Sequence, residues 1–251
     1  MEYIRRAMGA AAGHQSSAPP VPFDLDELAG AERLADWMFE QFAGSVAPAT
    51  VEVGPGVGTF TERLLGAGVE RLHLVEIDPR LSEHLAGRFG DDPRVTIANE
   101  ALPEAPSLAA TQGEWGLVLC QNVLEHIEDD HAAAASMARA LAPGGRLAVL
   151  VPAHPRLYGS LDSAYGHYRR YTRERLREVV EAADLELLEL YSFNLLGVAG
   201  WLAKRRSTSE RLGTRSLAAY ERLLTVWRPI ERRVSFPWGL SLIAIAERRG
   251  G

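Results

Sequence analysis

Three groups of residues in this sequence have types and spacings that could do chemistry. The first is Glu52-Val53-Gly54-Pro55-Gly56-Val57-Gly58, an acid followed by three glycines at alternate positions. Glycine lets a backbone turn tightly and approach a ligand where any Cβ would collide. Alone, such a loop fits a structural turn or a dinucleotide site equally well. A dinucleotide fingerprint wants its third glycine, or an alanine, three residues after the second. That position is Thr59 here, and the third glycine comes one residue early. The second group is acidic. Glu76 closes an apolar run, where a carboxylate can accept both hydroxyls of a ribose. Asp78 competes for that role but stands just before Pro79, better placed to cap a helix. Glu100 follows a further apolar run. The third group lies downstream: His154, Tyr158, Asp162, His167 and the run Arg169-Arg170-Tyr171. A histidine titrating near neutrality suits proton transfer. Paired arginines suit an anionic substrate group, or alternatively a clasp that ties a loop to the sheet. Cys120 reads as a small buried hydrophobe rather than a nucleophile. No His/Cys/Asp cluster has ligand spacing along the chain, so no metal is expected.

These groups need elements to hold them. Short apolar runs at Thr50–Val53, Leu72–Ile77, Val95–Ala98, Leu117–Cys120 and Arg146–Val151 read as buried strands. Helix-like segments at Thr59–Leu65, Pro79–Phe89 and Asp130–Leu141 alternate with them, and Pro143-Gly144-Gly145 is read as stopping the third. Strand–helix alternation implies a parallel sheet covered on both faces. Pro152 to Tyr171 is too long for a routine link and is a candidate functional loop. Thr172 can cap a helix carrying Leu176, Val179 and Val180, ahead of strands at Leu185–Phe193 and Leu240–Ala246. Residues 1–22 read as a flexible arm and Asp24–Phe42 as amphipathic helix, with 23–251 forming one domain. Its segment 195–239 is a helical insertion, apolar at Leu195–Leu202 and then basic at Lys204, Arg205 and Arg206.

Further stretches add to the pattern: Trp115-Gly116-Leu117-Val118-Leu119-Cys120-Gln121-Asn122-Val123-Leu124-Glu125-His126-Ile127, and Leu141-Ala142-Pro143-Gly144-Gly145-Arg146-Leu147. With the glycine loop, Glu76 and Glu100 they make five ordered motifs between residues 50 and 151. The whole resembles the class I S-adenosylmethionine-dependent methyltransferases, of the type that acts on small molecules. The resemblance implies an α/β, Rossmann-like, seven-stranded sheet, six strands parallel and the last antiparallel, with helices on both faces and the helical insertion before the last strand. It implies S-adenosylmethionine as cofactor, held by Glu52, Gly54, Gly56, Gly58, Thr59, Glu76, Ile77, Glu100, Ala101, Gln121 and Asn122. Glu100 departs from the aspartate commoner in the family at the adenine position. The family's transfer is an in-line displacement, so the protein must align a nucleophile, exclude water and, for an oxygen or nitrogen acceptor, take up a proton. His154, His167 and Asp162 are the candidates for that catalytic work, with His126 in an orienting role. Leu161 to Tyr171 resembles a block in a subgroup associated with polysaccharide and natural-product pathways.

The expected acceptor is a small molecule that attacks through an oxygen nucleophile, of natural-product, sugar or lipid-like kind. Alternatives are a non-catalytic cofactor-binding partner subunit, or an enzyme that uses bound cofactor without methyl transfer. The chain has 251 residues, 24% charged, with formal net charge −6, so no general attraction to nucleic acid follows. One cysteine excludes an internal disulfide framework, and no apolar stretch is long enough to span a bilayer, so a cytoplasmic location is expected. The insertion reads as a lid or a homodimer surface, with weak interfacial membrane contact as a third option.

Overall fold

Strands rich in β-branched and leucine residues are buried on both faces when helices cover both sides of a sheet. In the computed structural model, which describes residues 31–205, 214–234 and 236–250, these runs form one seven-stranded sheet. The strands are β1 (Ala49–Val53), β2 (Arg71–Glu76), β3 (Val95–Asn99), β4 (Trp115–Gln121), β5 (Leu141–Pro152), β6 (Leu185–Phe193) and β7 (Ser241–Arg248). Their spatial order is β3-β2-β1-β4-β5-β7-β6. β1 to β5 pair in parallel, whereas β7 runs antiparallel to both β5 and β6. The order reverses between β1 and β4, and ligands of open α/β sheets bind beyond the carboxyl ends of the strands at such a switch point.

The helices are α1 (Glu32–Glu40), α2 (Thr59–Gly66), α3 (Pro79–Phe89), α4 (Pro106–Ala110), α5 (Asp130–Ala140), α6 (Ser160–Ala164), α7 (Arg173–Ala182), α8 (Leu195–Arg205) and α9 (Thr214–Glu231). The pleat divides the strand residues between two cores. Val118, Cys120, Val149 and Val151 face Met137 of α5 and Leu176 and Val179 of α7. Their neighbours Leu117, Leu119, Ala148 and Leu150 face Trp37 of α1, Leu64 of α2 and Leu85 of α3. Each such leucine or valine stabilises the fold by roughly 1.5–3 kcal/mol relative to exposure. The caps expected at Asp78 and Thr172 form: their side chains accept from Arg80 N and Arg175 N.

Two local expectations change. The Pro143-Gly144-Gly145 segment does not precede β5 but lies inside it. Gly144 takes φ 75°, and the register shifts so that Leu141 already pairs with Trp115 before Arg146 pairs with Leu117. A turn signal here marks an irregularity within a strand. The short helix α4 was not anticipated, because five residues carry no period to read. The arm at 1–22 and the start of the amphipathic segment lie outside the described residues.

The insertion is anchored at its base. Glu231, at the end of α9, accepts from the main-chain N–H groups of Asn194 (2.6 Å) and Leu195 (3.2 Å), where α8 begins. Glu221 accepts from Arg33 N and Leu34 N, orphan donors in the first turn of α1. Tyr220 and Trp227 pack inward with Leu224, while Leu223, Val226 and Ile230 point outward. Among the described residues no helix is long and apolar enough to cross a membrane.

Candidate cofactor and acceptor site

The three glycines all sit in the left-handed region, at φ 68° (Gly54), 60° (Gly56) and 86° (Gly58), but for different reasons. A Cβ on Gly54 would lie 2.4 Å from Val123 Cγ2, and one on Gly58 would lie 2.4 Å from the Phe89 ring. These two permit close packing. A Cβ on Gly56 would meet nothing within 4 Å, so that residue faces open space. Gly54 N donates to Val75 O and Gly58 N to Pro55 O, which fixes the loop at the carboxyl end of β1. Thr59 opens α2, and its carbonyl accepts from Arg63.

Two acids lie under and beside this loop. Glu52 is buried beneath it and accepts from Thr61 Oγ1 at 2.7 Å. Burial pushes its pKa up to about 7, opposed by the Thr61 bond and assisted by nearby Glu76. Glu76, at the end of β2, accepts from Gly56 N (3.1 Å) and Asp78 N (3.0 Å). Burial raises its pKa to about 7 against those two hydrogen bonds. Asp78 pairs with Arg80 at 2.7 Å besides capping α3, so the two competing acids have separate tasks. Ile77 stands 41% exposed beside Glu76, a flat apolar face at the sheet edge. The Glu100 carboxylate is engaged elsewhere: it accepts from Ser107 N (3.0 Å) and Ser107 Oγ (2.6 Å) at the start of α4. The Ala101 carbonyl accepts from Ala105 N. Asn99, which sequence reasoning passed over, donates to the carbonyls of Glu76 (2.8 Å) and Ile77 (3.0 Å) and steadies this edge. Gln121 ends β4 with a buried Oε1 that has no partner, and Asn122 follows at φ 50°.

The loop after β5 closes on itself. His154 N donates to Tyr171 O and Tyr171 N to Pro152 O, so the segment leaves and re-enters the sheet at one point. At its centre Asp162, wholly buried, accepts from Gly159 N (2.9 Å), His167 Nδ1 (2.9 Å) and Arg170 Nε (2.7 Å). These donors hold its pKa below the usual range against the opposing effect of burial. With three donors placed on it, Asp162 orients His167 and Arg170. The arginines form the clasp alternative. Arg170 reaches Ala153 O and lies under the Trp201 ring of α8 at 4.2 Å, while Arg169 binds the carbonyls of Ile127 and Glu128. Trp201 Nε1 donates to Leu157 O, so α8 covers this loop.

The fold joins residues that are separated in sequence. His126 meets His167 edge to face, with ring centroids 4.7 Å apart. Glu125, fully buried, has both carboxylate oxygens without a partner. Burial drives the Glu125 pKa up to about 8 and the His126 pKa down to about 4. His154, at φ 61°, stacks on Trp238 with centroids 4.6 Å apart, and burial lowers its pKa. Trp238 carried no signal in the sequence, since an isolated tryptophan before a strand has no distinguishing spacing.

A mostly parallel sheet with this order, its β7 antiparallel, with a left-handed glycine loop after β1 and an acid ending β2, defines the class I methyltransferase fold. A family model described as a methyltransferase domain matches residues 30–190. The chain belongs to that family, the class I S-adenosylmethionine-dependent methyltransferases. It is similar to the ribosomal RNA small subunit methyltransferase A of Synechococcus sp. WH7803, 49% identical over 47 residues, which are 19% of this chain and 17% of the relative. It is also similar to the ubiquinone biosynthesis O-methyltransferase of Methylococcus capsulatus, 36% identical over 99 residues, 38% of this chain and 39% of the relative. The chain thus spans well under half the length of these curated relatives. Over nearly the whole chain, its fold is similar to that of the N-methyltransferase NodS from Bradyrhizobium japonicum, crystallised with S-adenosylhomocysteine. The TM-score is 0.59 and the identity 17%, over 99% of this chain and 98% of that one.

Proposed function

We propose that this protein transfers the methyl group of S-adenosylmethionine to an oxygen nucleophile of a small-molecule acceptor of natural-product, sugar or lipid-like kind. One observation carries the reading. Among the described residues, the buried side-chain polar atoms without a partner belong to Gln121, Glu125, His126 and His154. Buried polar groups are normally hydrogen-bonded, so such a concentration marks a place built to meet a ligand. Gln121 ends β4, and Glu125, His126 and His154 follow the carboxyl ends of β4 and β5, where ligands of this sheet type bind.

The residues present fit the cofactor. Gly56 leaves room for it, and Glu76 offers two carboxylate oxygens to a pair of ribose hydroxyls. Ile77 offers an apolar face to adenine, and because the Glu100 carboxylate is held by Ser107, adenine-edge recognition falls to the main chain at Glu100–Ala101. Gln121 and Asn122 serve the methionine end, Gln121 through its unpartnered Oε1. When bound, the cofactor supplies a methyl group made electrophilic by its sulfonium charge.

The chain's own part is to place the acceptor, exclude water and take a proton. His154 is the proton acceptor in this reading: its lowered pKa keeps the ring neutral near pH 7, and its Nε2 has no partner. Asp162 is a positioning residue acting through His167. Helix α8, packed over the loop through Trp201, walls the acceptor side, as a lid would. The ubiquinone-pathway relative, named as an O-methyltransferase, supports an oxygen acceptor.

The test is calorimetry with S-adenosylhomocysteine on the full chain, followed by transfer of labelled methyl to a panel of phenols, sugars and prenylated alcohols. Gly56→Val and Glu76→Ala should each weaken binding at least tenfold, and unchanged affinity in both overturns the site. Binding without transfer to any acceptor would favour the partner-subunit alternative.

A further inference from the structure

The cluster of Glu125, His126 and His167 is built as more than a packing contact. Their ligand atoms, a carboxylate oxygen and one nitrogen from each imidazole, all lie within 4.8 Å of one another. Glu125 is fully buried, and neither of its oxygens has a hydrogen-bond partner. His126 Nδ1 is buried and unpartnered as well. The nearby cation, Arg170, is committed to Asp162 and to Ala153 O. A buried carboxylate needs a proton or a cation to balance it.

His167 carries a feature shared by metal-ligating histidines. Its Nδ1 is bonded to Asp162 at 2.9 Å, which directs Nε2 away from that carboxylate. Metal-ligating histidines characteristically give their other ring nitrogen to a carboxylate in this way, fixing tautomer and orientation. The cluster is held by main-chain bonds too: Tyr168 N donates to Glu125 O at 2.7 Å and His167 N to Asp162 O at 2.9 Å.

We propose that Glu125, His126 and His167 bind one divalent first-row transition-metal ion, of the zinc or cobalt kind. Two imidazoles and one carboxylate are a recurrent three-ligand set for such ions, leaving a position open to water or substrate. Tetrahedral ligands at about 2.1 Å from a common ion stand about 3.4 Å apart, so the side chains need to draw in by up to about 1.4 Å. The glutamate and the first histidine follow β4, and the second histidine lies in the loop after β5, on the same sheet edge as the glycine loop. An acceptor hydroxyl taken into the open position would be acidified there. That use rests on the methyl-transfer reading, whereas metal binding does not.

The test uses full-length protein stripped with chelator and titrated with Co²⁺, followed by visible d–d absorption and by Zn²⁺ displacement. One equivalent should bind, and the metal should raise the melting temperature. Glu125→Gln, nearly isosteric, and His167→Gln should each weaken Co²⁺ binding by about tenfold or more. S-Adenosylhomocysteine affinity, measured in parallel, should be unchanged, which separates loss of the metal site from failure of the cofactor site. No Co²⁺ binding by the unaltered chain overturns the proposal, whether or not the variants fold. So does binding that persists at full strength in both variants.

Discussion

Replacing Glu76 by Gln should remove a pH-dependent loss of stability and make a poorer cofactor binder at the same time. Glu76 is 4% exposed, and burial raises its pKa from 4.5 to about 7 despite hydrogen bonds from Gly56 N and Asp78 N. Its carboxyl is therefore harder to ionise in the folded chain than in the unfolded one. The stability it contributes is complete below about pH 4.5 and is lost as pH rises to about 7, beyond which the loss is constant. That loss amounts to about 3 kcal/mol at pH 8. A glutamine has no charge to desolvate, but its NH₂ cannot accept from one of the two main-chain N–H groups that the carboxyl oxygens hold. The variant should fall below the unaltered chain by about 1–3 kcal/mol near pH 4.5, for the lost main-chain hydrogen bond, and gain about 3 kcal/mol relative to it by pH 8, or roughly 6–10 °C in a domain of this size. The assay is urea unfolding and thermal melting at the two pH values, with calorimetric titration of S-adenosylhomocysteine alongside. Affinity should drop by about tenfold or more, because one amide oxygen replaces two carboxylate acceptors. A stability difference equal at both pH values would refute the reasoning about burial.

Other expectations follow from the same geometry. Cofactor affinity should itself fall as pH drops below 7, by up to about tenfold per pH unit, since Glu76 must shed a proton to accept two hydroxyls; a flat titration profile from pH 5 to 8 would count against its role. Gly58→Ala places a Cβ 2.4 Å from the Phe89 ring at φ 86°, and should cost about 3 kcal/mol by denaturant unfolding. Gly56→Ala meets no neighbour and should cost only about 1 kcal/mol, yet reduce cofactor affinity more than Gly58→Ala does relative to its stability loss. Asp162→Asn leaves the buried guanidinium of Arg170 without its anion, and should destabilise by about 3–5 kcal/mol.

The strands, and the helices α3 and α7 with their caps, were legible because each is specified by neighbours in sequence. An apolar run specifies a buried strand, Asp78-Pro79 a helix start, and Thr172 another, and the chain needs no distant partner to use them. The Pro143-Gly144-Gly145 segment misled for the same reason. Its local meaning is a turn, and only pairing of Leu141 with Trp115 across the sheet turns it into an irregularity within β5. The cofactor side was readable to a similar depth: Gly54, Gly56, Gly58 and Glu76 lie where their spacing put them, at the ends of β1 and β2. What spacing could not tell is that Gly56 alone faces open space while its two neighbours serve Val123 and Phe89.

The acceptor side resisted sequence reasoning because its partners are assembled across the sheet edge. Glu125 and His126 are adjacent in a motif with an ordinary packing explanation, and His167 lies about 40 residues on, beyond a whole helix and strand. No ligand spacing exists along the chain, so absence of a metal was the natural expectation from sequence alone. The fold changes the terms of that argument. It buries Glu125 completely, commits Arg170 to Asp162, and sets His167 with its Nδ1 already bonded. Each fact has a structural explanation in isolation: a packed acid, a clasp, a tied ring. Together they leave unmatched polar atoms converging at the carboxyl edge of the sheet, and close packing alone gives no reason to keep a buried carboxyl without a hydrogen-bond partner there.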